Sequence, residues 1–104
     1  MKTAIEIATD KHSAQLKFAG SMDSHTVGEI SNVFRDILDQ DIYTIGVDMK
    51  EVDYLSSACI GVLIQAQSDA TANGGEIRLH NIQSNVKRTL ELMGLYHMMS
   101  APAE

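Results

Sequence analysis

Tyr43-Thr44-Ile45-Gly46-Val47-Asp48-Met49 and, shortly after it, Tyr54-Leu55-Ser56-Ser57-Ala58-Cys59-Ile60-Gly61 decide the fold of this chain. The first run is β-branched and aromatic and reads as a buried strand. Lys50-Glu51-Val52-Asp53 reads as a turn. From Ser57 to about Asn73, Ile60, Leu63, Ile64 and Ala70 supply the apolar face of a helix, which Gly74-Gly75 stops. Glu76-Ile77-Arg78-Leu79-His80 then alternates as a second strand. A strand, a crossover helix and a strand in that order imply parallel pairing.

Working outward, Val27, Ile30, Val33, Phe34, Ile37 and Leu38 recur at the helical period, with Ser24 as the expected N-cap and Asp23 before it. Asp36, Asp39 and Asp41 crowd the far end of this helix, where acids oppose the dipole. Ala4 to Ala8 and Ala14 to Ala19 alternate as two strands across a polar loop, and Gly20 is expected to end the second. Ser84 to Met93 predicts a third helix with Val86, Leu90 and Met93 inward and Gly94 at its C-terminal cap. Leu95 to Met99 is expected to form a last short strand. The order is β-β-α-β-α-β-α-β. It predicts one α/β domain over residues 1–99, a small mixed sheet flanked by helices, with right-handed crossovers. The expected core includes Ile7, Phe18, Val33, Phe34, Ile45, Val47, Ile60, Leu63, Leu79, Val86 and Leu90. Residues 100–104, with the only proline, Pro102, are expected to be a loose tail.

At 104 residues the chain suits one core and is too short for two ordinary domains. Its 44% hydrophobic and 21% charged residues argue against disorder. A net charge of −6 opposes binding to nucleic acid or an anionic membrane, since both need a positive field. The single cysteine excludes an internal disulfide framework and a cysteine-based zinc site. No apolar run approaches a membrane span, and the charged N-terminus does not read as a signal peptide, so the cytoplasm is the expected address. His12, His25, His80 and His97 show no ligand spacing, and no cofactor or metal is expected. Gly74-Gly75 follows a helix and lacks the Lys-Ser/Thr of a phosphate loop, so a turn is the better reading. Met93, Met98 and Met99 suit either core filling or an adaptable binding surface.

Tyr54 to Gly61 joins the carboxyl end of a strand to a helix, the edge at which open α/β sheets meet ligands and partners. Ser57 reads as an N-cap. A phosphate on it would face the free amides and positive dipole end of the first turn. The alternative is a capping serine with no further role. Cys59 is either a small buried apolar residue or a thiol activated at a helix N-terminus.

The chain resembles the STAS-domain anti-sigma-factor antagonists. The likeness covers nearly its whole length and rests on four segments. Phe18-Ala19-Gly20-Ser21-Met22-Asp23 resembles the family's Leu-x-Gly-x-Leu-Asp. Ile45 to Met49 is similar to its central strand, and Tyr54 to Gly61 to its Asp-Ser-Ser/Thr-Gly-Leu-Gly signature. Asn73 to Glu76, Val86 to Leu90 and Met93-Gly94-Leu95 resemble its C-terminal half. The resemblance implies a non-enzymatic partner switch. The unphosphorylated protein would bind an anti-sigma factor that is also a GHKL-type serine kinase. Phosphorylation of the signature serine, here Ser57, would release it, and a PP2C-type phosphatase would restore binding. Three signature positions depart: Ser56 replaces the acid, Ala58 the second hydroxyl residue and Cys59 the glycine. The missing acid makes Ser56 the second choice for the phosphate. Partner contacts are expected from Asp23, Ser24, His25, Tyr54, Ser56, Ser57, Ala58 and Cys59. The output could be a sigma factor or another pathway such as biofilm formation. The rival reading is a STAS-type nucleotide- or lipid-binding domain without a phosphoswitch.

Overall fold

The structure, a computed structural model, describes residues 4–9 and 12–99. The elements are β1 (Ala4–Thr9), β2 (Ser13–Met22), α1 (Val27–Asp39), β3 (Thr44–Leu55), α2 (Ser57–Ala72), β4 (Glu76–His80), α3 (Ser84–Leu92) and α4 (Tyr96–Met99). They build a four-stranded sheet in the order β1-β2-β3-β4. β1 pairs antiparallel with β2, while β2–β3 and β3–β4 are parallel. The small mixed α/β sheet is thus the architecture expected from the strand–helix–strand pattern. The tail from residue 100 lies outside the described residues.

One face of the sheet carries the core. Leu16 and Phe18 of β2, Ile45, Val47 and Met49 of β3, and Ile77 and Leu79 of β4 are buried against Ile30 and Phe34 of α1, Ile60 and Leu63 of α2, and Val86 and Leu90 of α3. The opposite face stays polar: Gln15 is exposed, and Lys17, Asp48 and Arg78 are half-buried. The helices therefore cover one face instead of flanking two. Strand order explains this, because parallel neighbours added in sequence with crossovers of one hand return every helix to the same side.

The expected turn at Lys50–Asp53 is continuous strand. Between Lys17↔Asp48 and Ala19↔Glu51, and again between Gly20↔Val52 and Ser21↔Tyr54, β3 carries one more residue than β2. Each extra residue is a bulge that advances the strand without turning its apolar face away. Buried positions consequently run Met49, Val52, Leu55, three apart in place of two, which hides the alternation from a period-2 reading. Gly20 does not end β2 either. It adopts φ +94°, open to glycine, at the second register shift, and the strand continues to Met22.

Beyond Asp48, β3 has no β4 beside it. Side-chain amides take that place. Gln83 Nε2 donates to the Lys50 carbonyl at 2.7 Å, and Asn85 Nδ2 donates to the Asp53 carbonyl. At the outer edge of β4, Gln67 is only 8% exposed and imitates a neighbouring strand. Its Oε1 accepts from the Ile77 N–H at 2.6 Å and its Nε2 donates to the Ile77 carbonyl at 3.2 Å. The same nitrogen reaches the Met98 carbonyl of α4 at 3.4 Å. Gln67 thus satisfies both outward backbone groups of Ile77, the residue at which another strand would otherwise pair.

Leu95 to Met99 ends in the short helix α4, not a strand. α3 closes with Gly94 N–H donating to the Glu91 carbonyl (3.0 Å) and Leu95 N–H to the Leu90 carbonyl (2.9 Å), with Gly94 at φ +71°. That is a Schellman closure; it places Leu95 against the core and turns the chain into α4, whose Met99 is also buried. Met93 falls at the C-cap and is 49% exposed instead of inward. Ile7 is 53% exposed because β1 is an edge strand whose one sheet neighbour is β2. Val33 is partly buried against the core. The N-cap of α1 is Thr26, not Ser24.

Leu63→Ala and Ile45→Ala are each expected to destabilise the protein by roughly 2–5 kcal/mol, since both side chains are fully enclosed. Ile7→Ala is expected to cost about 1 kcal/mol or less, because the side chain is already half in water. Urea denaturation of the three variants checks the contrast.

Candidate functional site

The carboxyl ends of β2 and β3 lie side by side, with Met22 opposite Leu55. The chain leaves β3 through Ser56, whose N–H donates to the Met22 carbonyl at 2.8 Å. This bond extends the β2–β3 ladder by one rung and fixes where α2 begins. Ser56 is extended (φ −80°, ψ 161°), and its Oγ accepts from the Cys59 N–H at 3.2 Å. Its carbonyl accepts from the Ile60 N–H at 2.9 Å. Ser56 is therefore the N-cap of α2, one residue earlier than the sequence reading placed it. The physical reason is the added rung, which holds Ser56 in strand geometry.

Ser57 becomes the first helical residue and is exposed. The amides of Ser57 and Ala58 have no intrahelical acceptor, as at any helix start. An anion on the Ser57 hydroxyl would face them and the positive end of the dipole. Ser56 is half-buried with its hydroxyl already engaged, so the two adjacent serines differ in access.

The loop after β2 is drawn against this turn. Asp23 Oδ1 accepts from the His25 N–H at 2.9 Å, forming a small side-chain turn that leaves Ser24 and His25 exposed. Thr26 holds the loop from beneath and is only 5% exposed. Its Oγ1 accepts from the Asp23 N–H at 3.0 Å and lies 3.2 Å from the carbonyls of Ser21 and Asp23, to which it can donate. Thr26 is a functional residue that the sequence pattern hides. Its signal is its position directly before Val27, the first apolar residue of α1, which the nearby Ser24 obscured.

Cys59 is fully buried, with Sγ 3.5 Å from the Asp23 carbonyl, so it underlies the rim and presents no surface to a partner. Burial pushes its thiol pKa up; the Ser56 hydroxyl opposes this and the Asp23 charge adds to it. A protonated, enclosed thiol does not support the activated-nucleophile reading. On the β3 side, Tyr54 stands 54% exposed opposite Ser21. Ser21 Oγ donates to Asp53 Oδ1 at 3.2 Å. The structure thus gathers Asp23, Ser24, His25, Tyr54, Ser56, Ser57 and Ala58 around one sheet end and withdraws Cys59 into the core. Among the described residues, no group of three or more His, Cys, Asp or Glu side chains could hold a metal ion, and no helix is long and apolar enough to cross a membrane.

Comparison with known proteins agrees with this fold. The family model of the STAS domain matches residues 4–103. The anti-sigma-B factor antagonist of Staphylococcus aureus is 24% identical over 99 residues, covering 95% of this chain and 92% of the relative. Its Staphylococcus epidermidis counterpart is 21% identical over the same length. Among solved structures, unphosphorylated SpoIIAA superposes with a TM-score of 0.83 at 19% identity, covering 97% of this chain and 90% of that one. An anti-sigma factor antagonist from Mycobacterium paratuberculosis gives 0.84 at 13% identity, covering 98% and 87%.

Ser56→Ala is expected to destabilise the fold by about 0.5–2 kcal/mol through loss of the cap. Ser57→Ala is expected to stay within about 0.5 kcal/mol of the parent, since an exposed first-turn side chain is removed. Thermal and urea unfolding of the pair checks which serine caps the helix.

Proposed function

The chain belongs to the STAS domain family, and on that premise we propose that it is a non-catalytic, phosphorylatable partner switch of the anti-sigma-factor-antagonist kind. Unphosphorylated, it binds a GHKL-type serine kinase that doubles as an anti-sigma factor. Phosphorylation of Ser57 releases it, and a PP2C-type phosphatase resets it. The observation that carries the reading is the division between the serines: Ser56 is committed to the cap while Ser57 is exposed at the first helical position. A kinase can reach the Ser57 hydroxyl without unwinding the helix.

The same geometry accounts for a switch that leaves the fold intact. A phosphoserine adds about −1.5 to −2 charges, which the helix N-terminus accommodates. The partner surface must instead desolvate those charges beside Asp23, against contacts shaped for a neutral hydroxyl. Exposed Tyr54, three residues before the serine in the chain, supplies an aromatic anchor, the residue type that dominates interface energetics. The acidic net charge of −6 would speed encounter with a basic partner patch.

Incubation with ATP and a GHKL-type serine kinase from the same organism, followed by peptide mass spectrometry, is expected to place one phosphate on Ser57. Ser57→Ala is expected to bind the kinase constitutively, and Ser57→Asp to stay folded but bind at least about tenfold more weakly. Asp23→Lys is expected to weaken binding in calorimetry. Phosphate on Ser56 that persists in Ser57→Ala would reverse the assignment of the two serines. Absence of phosphate from both with an active kinase would end the partner-switching reading.

A further inference from the structure

The acids at the end of α1 form no ion pair among the described residues, although Arg35, one turn before Asp39, lines the same groove. Neither α1 nor α2 carries a basic residue in its last turn, and Asp39 sits against the negative end of its own helix dipole. Among the described residues, Asp39 and Arg35 form no ion pair. Asp69 Oδ1 accepts only from Gln65 Nε2 of the preceding turn, at 3.2 Å. Carboxylates placed where they oppose the dipole call for a compensating gain elsewhere.

Asp39 and Asp69 stand together at one end of a groove of about 390 Å³ between α1 and α2. Each helix returns from one parallel strand to the start of the next, so α1 and α2 run in the same direction. The groove accordingly has a head, with Ser31 and Ala58, and a foot, with Asp39 and Asp69. Along α2 its wall is Ala58, Gly61, Val62, Gln65, Ala66 and Asp69, one stripe at helical spacing. The head is open because the stripe begins with small residues; a Cβ built on Gly61 meets nothing within 4 Å. From Ala58 to Asp69 the wall extends about 16 Å, three turns of helix. Ala58 directly follows Ser57, so the groove continues the rim down the helical face.

We propose that this groove seats an amphipathic helix of the kinase partner, with apolar side chains over Ala58, Gly61 and Val62 and a Lys or Arg at the foot between Asp39 and Asp69. The inference rests on the partner-switching reading and extends its contact surface beyond the Ser57 rim. Helix-in-groove docking reads anchors at helical spacing; here the small apolar residues at the head take the apolar anchors, and the charge at the foot sets the direction in which the helix lies. The acids at the end of α1 are then a recognition feature that the isolated fold tolerates.

The test is calorimetric binding of the full chain and its variants to the GHKL-type kinase that phosphorylates the parent. Gly61→Leu fills the head, and its unfolding midpoint is expected at or above the parent's, since leucine favours helix over glycine. Its affinity is expected to fall at least about tenfold. Asp39→Lys is expected to lower affinity about tenfold and flatten the salt dependence. Asp36→Lys makes the same charge change on α1 outside the groove and is expected to stay within about twofold. Wild-type-like affinity of both Gly61→Leu and Asp39→Lys, with the parent binding normally, overturns the groove and leaves the Ser57 reading standing. Failure of the parent to bind at all removes both. A concentration-dependent dimer of the parent, abolished by Gly61→Leu in sedimentation, would assign the groove to a second copy and overturn the proposal.

Discussion

The central strand carries two more residues than the neighbour it pairs with, and the rest of the structure depends on that mismatch. β3 must remain buried along one face while gaining length over β2, and two bulges accomplish this. They keep Val52 and Leu55 in the core after Met49, although the spacing between buried positions stretches to three. Leu55 consequently arrives opposite Met22, and the next amide, that of Ser56, closes on the Met22 carbonyl. The start of α2, the loop at Asp23 and the exposure of Ser57 all follow from that rung.

The departures from the family signature become intelligible at this point. Serine and aspartate are both strong N-caps, so Ser56 in place of the acid keeps the cap while removing a charge beside Ser57. Cys59 in place of glycine turns its side chain inward, where Sγ contacts the Asp23 carbonyl and ties loop to helix. Ala58 leaves the surface after Ser57 smooth and opens the head of the α1–α2 groove. Each substitution preserves the local frame while altering the charge or contour of the rim.

Polar side chains elsewhere finish what the backbone leaves undone. Gln83 and Asn85 replace a missing strand beside the bulged half of β3, and Gln67 replaces one along β4. No buried side-chain N or O atom among the described residues lacks a hydrogen-bond partner. Gln67 thereby satisfies the outward backbone groups of Ile77 in the middle of the β4 edge.

The sequence by itself determined the order of the first seven elements and the parallel β3–β4 pair. Apolar periodicity, glycine stops and β-branched runs are local signals, and the core pressing on Leu63, Phe34 and Val47 agrees with them. It also pointed to the strand-to-helix junction and, through the family likeness, to Ser57. Tertiary structure decided the rest. The 50–53 segment reads as a turn because a bulge breaks period-2 alternation, and only the register against β2 makes it strand. Cap identity shifted from Ser57 to Ser56 through a hydrogen bond to a carbonyl thirty-odd residues away, which no window along the chain contains. Ile7 and Met93 lie outside the core because sheet order and helix closure, not side-chain hydrophobicity, set their exposure. Thr26 and Gln67 look like ordinary polar residues in sequence; their roles arise from the unpaired backbone groups that folding brings to them.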